Sequence, residues 1–253
     1  MTAVFIMEVI VSTQNQRIKR IASLKTAKGR EETGLFFAEG IKLIRDNADK
    51  IVELFVREDK AQEYAKEFDI VPTVVSSAVY DKISDTDTPQ GILATFKIPA
   101  ESSCPQGERL LVLDGIQDPG NEGALIRTAV AAGFDGVIAV DSASAYSPKA
   151  VRASMGGVFR IPVAKMTRYD AIKALCGRLV VVLDMGGENL FSARTDGDFA
   201  LVVGSEGKGL SPEFRSRADK VLALPMAGGI ESLNAAVSAG IAMYALSQFN
   251  KEI

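Results

Sequence analysis

Apolar positions along the chain fall into two regimes that meet near residue 100. Beyond it, continuous apolar runs such as Leu110-Leu111-Val112-Leu113 and Ala200-Leu201-Val202-Val203 recur between longer amphipathic stretches. Strands of that kind are buried on both faces, which points to a mainly parallel sheet flanked by helices. The pattern predicts strands at 110–114, 136–140, 179–183, 201–204 and 221–224, and helices at 121–132, 148–155, 169–176, 212–217 and 232–249. Before the break the alternation is finer. Helices are expected at 14–28, 40–48, 60–68 and 79–84, with strands at 51–56, 70–75 and 91–96. The segment Phe36-Phe37-Ala38-Glu39-Gly40 leads into the second of these helices. The break itself, 98–107, carries two prolines, two serines and a glycine, which interrupt both periodicities. The expected organisation is a small α/β domain over 1–97, a linker over 98–107 and a larger α/β domain over 108–253.

Composition narrows the chemistry. The 253 residues contain no histidine, which excludes Ser-His-Asp and Cys-His nucleophilic machinery, His-liganded zinc and an imidazole base. Cys104 and Cys176 are the only cysteines, too few for a four-cysteine metal site or a disulfide framework. The expectation is a metal-free protein of a reducing, cytoplasmic compartment. The apolar opening at residues 2–7 is short and has no basic stretch before it, so no targeting segment is expected. No apolar run approaches the ~20 residues of a membrane span. Net charge is −3, yet Arg17, Lys19, Arg20, Lys25, Lys28 and Arg30 lie in one stretch without an acidic residue. Such a run is either a solvated helix face or a phosphate-binding surface.

Ligands of parallel α/β sheets bind outside the carboxyl ends of strands. Three predicted strand ends carry unusual sequences. In the first, Asp118-Pro119-Gly120-Asn121 is a strong turn signal in which Asn121 suits a helix cap, and Arg127 follows between one and two helical turns later. Arg127 then either faces solvent or returns to the loop. The second is Gly204-Ser205-Glu206-Gly207-Lys208-Gly209. It matches neither the Rossmann nor the P-loop glycine pattern, but its backbone groups suit a polar ligand, with a simple glycine turn as the alternative. The third runs from Leu224-Pro225-Met226 to Ser232-Leu233-Asn234 and opens a helix rich in small residues, with Ser232 as its expected cap.

In order and spacing the three segments resemble the motifs of the SpoU (TrmH-like) ribose 2′-O-methyltransferases of the SPOUT class. Val151-Arg152-Ala153-Ser154-Met155-Gly156, followed by Ile161-Pro162-Val163, fits the same family. Arg30, Gly34, Phe36, Glu39 and Gly40 are similar to the L30e-like substrate-binding domain often attached to it. The resemblance implies a deep C-terminal trefoil knot, S-adenosyl-L-methionine as cofactor, and a homodimer formed through the C-terminal domain. It places Gly204, Leu224, Met226 and Leu233 at the cofactor, and Asn121, Arg127, Glu206, Ser232 and Asn234 at the reaction. It puts the basic run on RNA, with ribosomal RNA the expected substrate. Asp118 and Glu231 receive no role.

The implied reaction moves a methyl group from a sulfonium to a ribose 2′-oxygen, without metal. Its difficulty is the proton. The family gives a base-like role to the arginine matching Arg127, whereas a guanidinium normally stays protonated. Either Arg127 is transiently deprotonated, or it stabilises the developing alkoxide while another group takes the proton. The competing readings are a transfer-RNA 2′-O-methyltransferase, a non-enzymatic RNA-binding or ribosome-assembly protein on the same scaffold, a base methyltransferase and a generic nucleotide-binding α/β enzyme.

Overall fold

The computed structural model describes residues 8–64, 66–99, 104–195, 197–228 and 232–248. Residues 1–7, residues 100–103 of the expected linker and residues 229–231 of the third motif, with Glu231, lie outside that set. The chain divides into two compact units, one of residues 1–99 and 146–152, the other of residues 100–145 and 153–253. Residues 146–152 thus group with the first unit although they follow strands of the second. Tyr146 packs against Phe36 with its ring tilted by 47° and the centroids 5.0 Å apart.

The first unit runs α1 (Gln16–Ser23), α2 (Ala27–Thr33), β1 (Leu35–Glu39), α3 (Ile41–Arg45), β2 (Glu53–Arg57), α4 (Ala61–Tyr64), β3 (Thr73–Val75), α5 (Ser77–Ile83) and β4 (Ile92–Lys97). Its sheet has the order β1-β4-β2-β3, with β4 antiparallel to both neighbours and β2 parallel to β3. The helix expected over 14–28 is two helices. Thr26 breaks it, because its hydroxyl caps α2 by accepting from the Gly29 amide at 3.1 Å. Phe36-Phe37-Ala38-Glu39 forms β1 and does not merely lead into a helix. Its inner residues are buried, and Phe37 joins a core with Ile18, Ile21, Phe55, Tyr80 and Leu93.

The second unit runs β5 (Arg109–Asp114), α6 (Pro119–Ala131), β6 (Gly136–Val140), β7 (Val163–Met166), α8 (Arg168–Ala174), β8 (Leu179–Asn189), β9 (Phe199–Gly204), α9 (Pro212–Arg217), β10 (Lys220–Ala223) and α10 (Ala235–Gln248). α7 (Pro148–Ala153) lies between β6 and β7 in sequence. All six strands are parallel, in the order β10-β8-β9-β5-β6-β7. Leu110, Val112, Ile138, Val180, Ala200 and Val202 form its buried centre, as the continuous apolar runs require. The pattern missed β7, whose four residues include Lys165. β8 also exceeds its expected five residues. Val182 pairs with Val221, the register then shifts, and Glu188 pairs with Leu222. Residues 183–187 are carried out of the ladder beside the edge strand β10.

Candidate active site

Three strand ends of the parallel sheet converge on one small network. α6 is capped by Asp118, whose carboxylate accepts from the Asn121 amide at 2.9 Å. That corrects the expectation that Asn121 is the cap, and it leaves the Asn121 side chain for other work. Asn121 Nδ2 donates to Glu206 Oε1 at 2.5 Å. Asn234 Nδ2 donates to the same oxygen at 2.8 Å and to Asn121 Oδ1 at 3.2 Å. The Ala235 amide also points at Glu206 Oε1, at 3.4 Å. Residues 85 and 113 positions apart are thereby tied through one carboxylate oxygen. Asn234 does a second job at its other end. Its Oδ1 accepts from the Ala236 and Val237 amides at 2.9 and 3.3 Å, so Asn234, and not Ser232, caps α10.

The loop carrying Glu206 is closed on itself. Ser205 and Gly209 exchange both backbone hydrogen bonds, at 3.2 and 2.8 Å. This fold explains Gly204, where a Cβ would run into the backbone of Gly209 and Leu210. A larger residue at 204 therefore meets the loop itself before it meets any ligand.

Between this loop, residues 183–185 and the chain leaving β10 lies a pocket of about 200 Å³. Gly204, Glu206, Leu224, Met226, Ser232 and Leu233 all line it. The four residues expected at the cofactor thus share one cavity. Leu183, Asp184 and Met185 were not anticipated, although Met185-Gly186-Gly187 after a buried strand was a readable turn signal. Asp184 is held by Arg215 at 2.5 Å. Leucine and methionine walls suit a flat aromatic group, and backbone edges with the Glu206 and Asp184 carboxylates suit polar and cationic groups. The chemistry of this lining suits S-adenosylmethionine, while its volume of about 200 Å³ is below the ~300–1,000 Å³ usual for ligand sites.

Arg127 stands between one and two turns past Asn121, exposed on α6. Among the described residues no hydrogen bond or ion pair engages its guanidinium, so of the two alternatives it faces solvent. The α6 backbone below it is packed closely by the turn Gly157–Phe159. A Cβ on Gly157 would lie 3.3 Å from Arg127 Cα. Beside Asn121, Glu122 is fully buried in line with Leu125, Ile126 and Ala129, and neither of its oxygens has a partner. Burial pushes its carboxyl up to about 7.

The basic run is spent mostly within the first unit. Arg30 is 5% exposed and donates to the Leu24 and Lys25 carbonyls at 2.9 and 3.2 Å; burial lowers its pKa. It secures the α1–α2 junction and is not presented to RNA. Lys25 donates to the Lys82 and Ser84 carbonyls. Arg17 and Arg20 both grip Glu53. Lys19 is exposed, and Lys28 makes only a long 3.7 Å pair with Glu32. Among the described residues no group of histidine, cysteine and carboxylate side chains has the arrangement of a metal site.

Comparison with known proteins identifies the family. Residues 108–244 match the SpoU rRNA methylase family, and residues 15–94 match the MRM3-like substrate-binding domain. A 23S rRNA (guanosine(2553)-2′-O)-methyltransferase of Bacillus subtilis, RlmP, is 33% identical over 95% of this chain and 99% of its own length. The crystal structure of an AdoMet-bound rRNA methyltransferase from Sinorhizobium meliloti superposes with a TM-score of 0.85. It is 32% identical and covers 97% of this chain and 99% of that one. The SpoU methyltransferase AviRb from Streptomyces viridochromogenes, in complex with AdoMet, gives a TM-score of 0.82 at 25% identity, covering 93% of this chain and 98% of that one.

Proposed function

The chain belongs to the SpoU rRNA methylase family, and from that premise we infer that it transfers a methyl group from S-adenosylmethionine to a ribose 2′-hydroxyl of ribosomal RNA. The observation that carries this reading is the meeting of Asn121, Glu206 and Asn234 at the mouth of the pocket lined by Gly204, Leu224, Met226 and Leu233. A pure RNA-binding protein has no use for such a pocket. The Bacillus subtilis relative acts on 23S rRNA, which favours ribosomal over transfer RNA, and the first unit matches a substrate-binding domain, which gives the RNA a second point of attachment.

Bound in the pocket, S-adenosylmethionine supplies a methyl group already activated by its positively charged sulfur. The chain must then place an oxygen in line with that methyl group and manage one proton. Positioning of this kind lowers a barrier by roughly 7–11 kcal/mol in favourable cases. Asn121 and Asn234 hold the Glu206 carboxylate fixed, so its second oxygen is aimed without further ordering. That oxygen has no partner among the described residues and is suited to receive the 2′-hydroxyl hydrogen bond. Arg127, exposed on α6, faces the incoming RNA with its guanidinium. It stabilises the negative charge that develops on the 2′-oxygen as the proton passes to that free Glu206 oxygen and the methyl group passes from sulfur to the 2′-oxygen, and does not itself act as the base. Ser232 lines the pocket from the third motif and steadies the cofactor side.

Labelled-methyl transfer to ribosomal RNA, followed by nuclease digestion and mass spectrometry, tests the reading. The expected product is a 2′-O-methyl nucleoside, and a methylated base would overturn it. Arg127→Ala is expected to lower kcat by about 10²–10³, the usual cost of removing one charge-stabilising donor, with S-adenosylmethionine affinity retained. Near-normal turnover removes Arg127 from the mechanism.

The same reading includes a C-terminal trefoil knot, a homodimer built on the C-terminal domain and a cytoplasmic location. Support for the knot is the class resemblance and the re-pairing of β10 with β8 beyond residues 183–187. Support for the dimer is the apolar face of α10, where Val237 and Tyr244 are 51% and 42% exposed at a spacing of two helical turns. Sedimentation at the monomer mass would remove the dimer. Among the described residues no helix is long and apolar enough to cross a membrane, and the two cysteines are unpaired.

A further inference from the structure

The loop carrying Glu206 has a cavity on its other side. A cleft of about 730 Å³ opens between this loop and the residues that follow β5 and β6. It sits where the sheet order turns: β5 is followed in sequence by β6 on one side and lies beside β9 on the other. Crevices at such switch points are the usual ligand sites of parallel sheets. Its size is that of a small-molecule site. Ser205, Glu206, Gly209 and Leu210 line both this cleft and the cofactor pocket, so the two cavities share one wall.

The lining is acidic. Asp114, Asp118, Asp141, Glu206 and Glu213 face only Arg168 and Lys208. Five carboxylates against two cations disfavour a phosphate and favour a group rich in hydrogen-bond donors. Arg168 is itself held within the wall by Asp114 at 3.2 Å and Asp141 at 2.8 Å. Its Nε, and the Ser211 hydroxyl beside it, are buried without a partner, an uncommon state for polar atoms.

Asp141 occupies the rim in a left-handed conformation, φ 47°, uncommon outside glycine, asparagine and aspartate. Gln117 donates to its carbonyl at 2.6 Å, and Arg168 pairs with its carboxylate. Backbone strain of this kind persists where the surroundings over-determine it, often at ligand clamps. The side chain is nevertheless 66% exposed. A carboxylate is therefore held open, at fixed orientation, at the edge of a nucleotide-sized cleft.

We propose that this cleft receives the base of the nucleotide to be methylated, and that Asp141 selects guanine by accepting from its N1–H and N2–H₂. The inference rests on the methyl-transfer reading above. Single-stranded RNA bases are commonly splayed out and read along their Watson–Crick edges. Of the four bases only guanine offers two adjacent donors on that edge, matching the two oxygens of a carboxylate. Adenine and cytosine each place a ring acceptor where the second oxygen lies, and uracil offers a single donor between two carbonyls. A base seated here leaves its ribose at the shared wall, next to Glu206 and the cofactor pocket.

The test uses the full chain and an rRNA fragment containing the mapped methylation site, carrying guanine, inosine or adenine at that position. Wild-type kcat/KM is expected to be highest with guanine and to fall roughly ten- to a hundredfold with adenine, with inosine between. Asp141→Asn and Asp141→Gly both tolerate the left-handed backbone. Each is expected to keep its melting temperature and S-adenosylmethionine affinity. Each should lose about ten- to a hundredfold in kcat/KM on the guanine RNA, together with most of the preference for it. Equal wild-type use of adenine, or full activity and preference in both variants, overturns the proposal while leaving the methyltransferase reading intact. Absence of methyl transfer from wild type to any ribosomal RNA overturns the methyltransferase reading, and this inference with it.

Discussion

Glu122 is the residue whose chemistry sits least comfortably with its place. It occupies a core position of α6, aligned with Leu125 and Ile126, and its carboxyl has no partner. Burial raises the carboxyl from 4.5 to about 7, which corresponds to a cost of roughly 3 kcal/mol above pH 7, where the group is ionised in both states and the folded chain buries its charge. Below about pH 4 the carboxyl is protonated in both folded and unfolded chains and costs nothing. Between 4.5 and 7 the unfolded chain sheds the proton while the folded chain keeps it, so stability falls as pH rises and levels off above 7. Replacing Glu122 with Leu is expected to raise stability at pH 8 by about 1–3 kcal/mol and to flatten that decline. Denaturant titrations of both proteins at pH 5 and pH 8 measure it. A variant no more stable at pH 8 than the natural chain would show that the carboxylate finds a partner there.

At the scale of elements, the start of α6 separates two kinds of residue that look alike in sequence. Asp118 serves the helix and Asn121 serves the site. Asp118→Ala is expected to cost about 1 kcal/mol, the usual price of a lost cap, and to reduce activity only modestly. Asn121→Ala should leave the melting temperature nearly unchanged and lose most of the turnover. Paired melting and turnover measurements check the division, and equal thermal losses in the two would contradict it. Most of the parallel sheet was legible because each buried strand is a continuous apolar run between turn signals. β7 was not, because Lys165 and Pro162 interrupt its pattern and its pairing to β6 is what makes it a strand. The break between α1 and α2 was missed because Thr26 reads as an ordinary polar helix position until its hydroxyl is seen on Gly29. Asn121 and Asn234, which meet at Glu206, were visible in the sequence through their motifs. The exchange of capping roles between Asp118 and Asn121, and between Ser232 and Asn234, was not, since caps are decided by which side chain folds back on the first turn.

For the whole molecule, a net charge of −3 means that RNA is held by local features and not by a general field. Four of the six basic residues between Arg17 and Arg30 bind Glu53 or backbone carbonyls, which leaves exposed Lys19, and Lys28 with its long pair to Glu32, as the ones most available to phosphate. Replacing both with Gln is expected to reduce the slope of log K against log salt by about 1–2, without changing which nucleotide is methylated. Filter binding across a salt series measures the slope, and an unchanged slope would place the RNA elsewhere. The side chain of Asn234 has a different reach, because it begins the last helix and closes the catalytic network at the same time. Unwinding a single turn at the start of α10 would release Glu206 as well. Local opening there needs far less energy than global unfolding. Heat would then silence the enzyme before melting it, so that the last helix acts as a thermal fuse for the reaction.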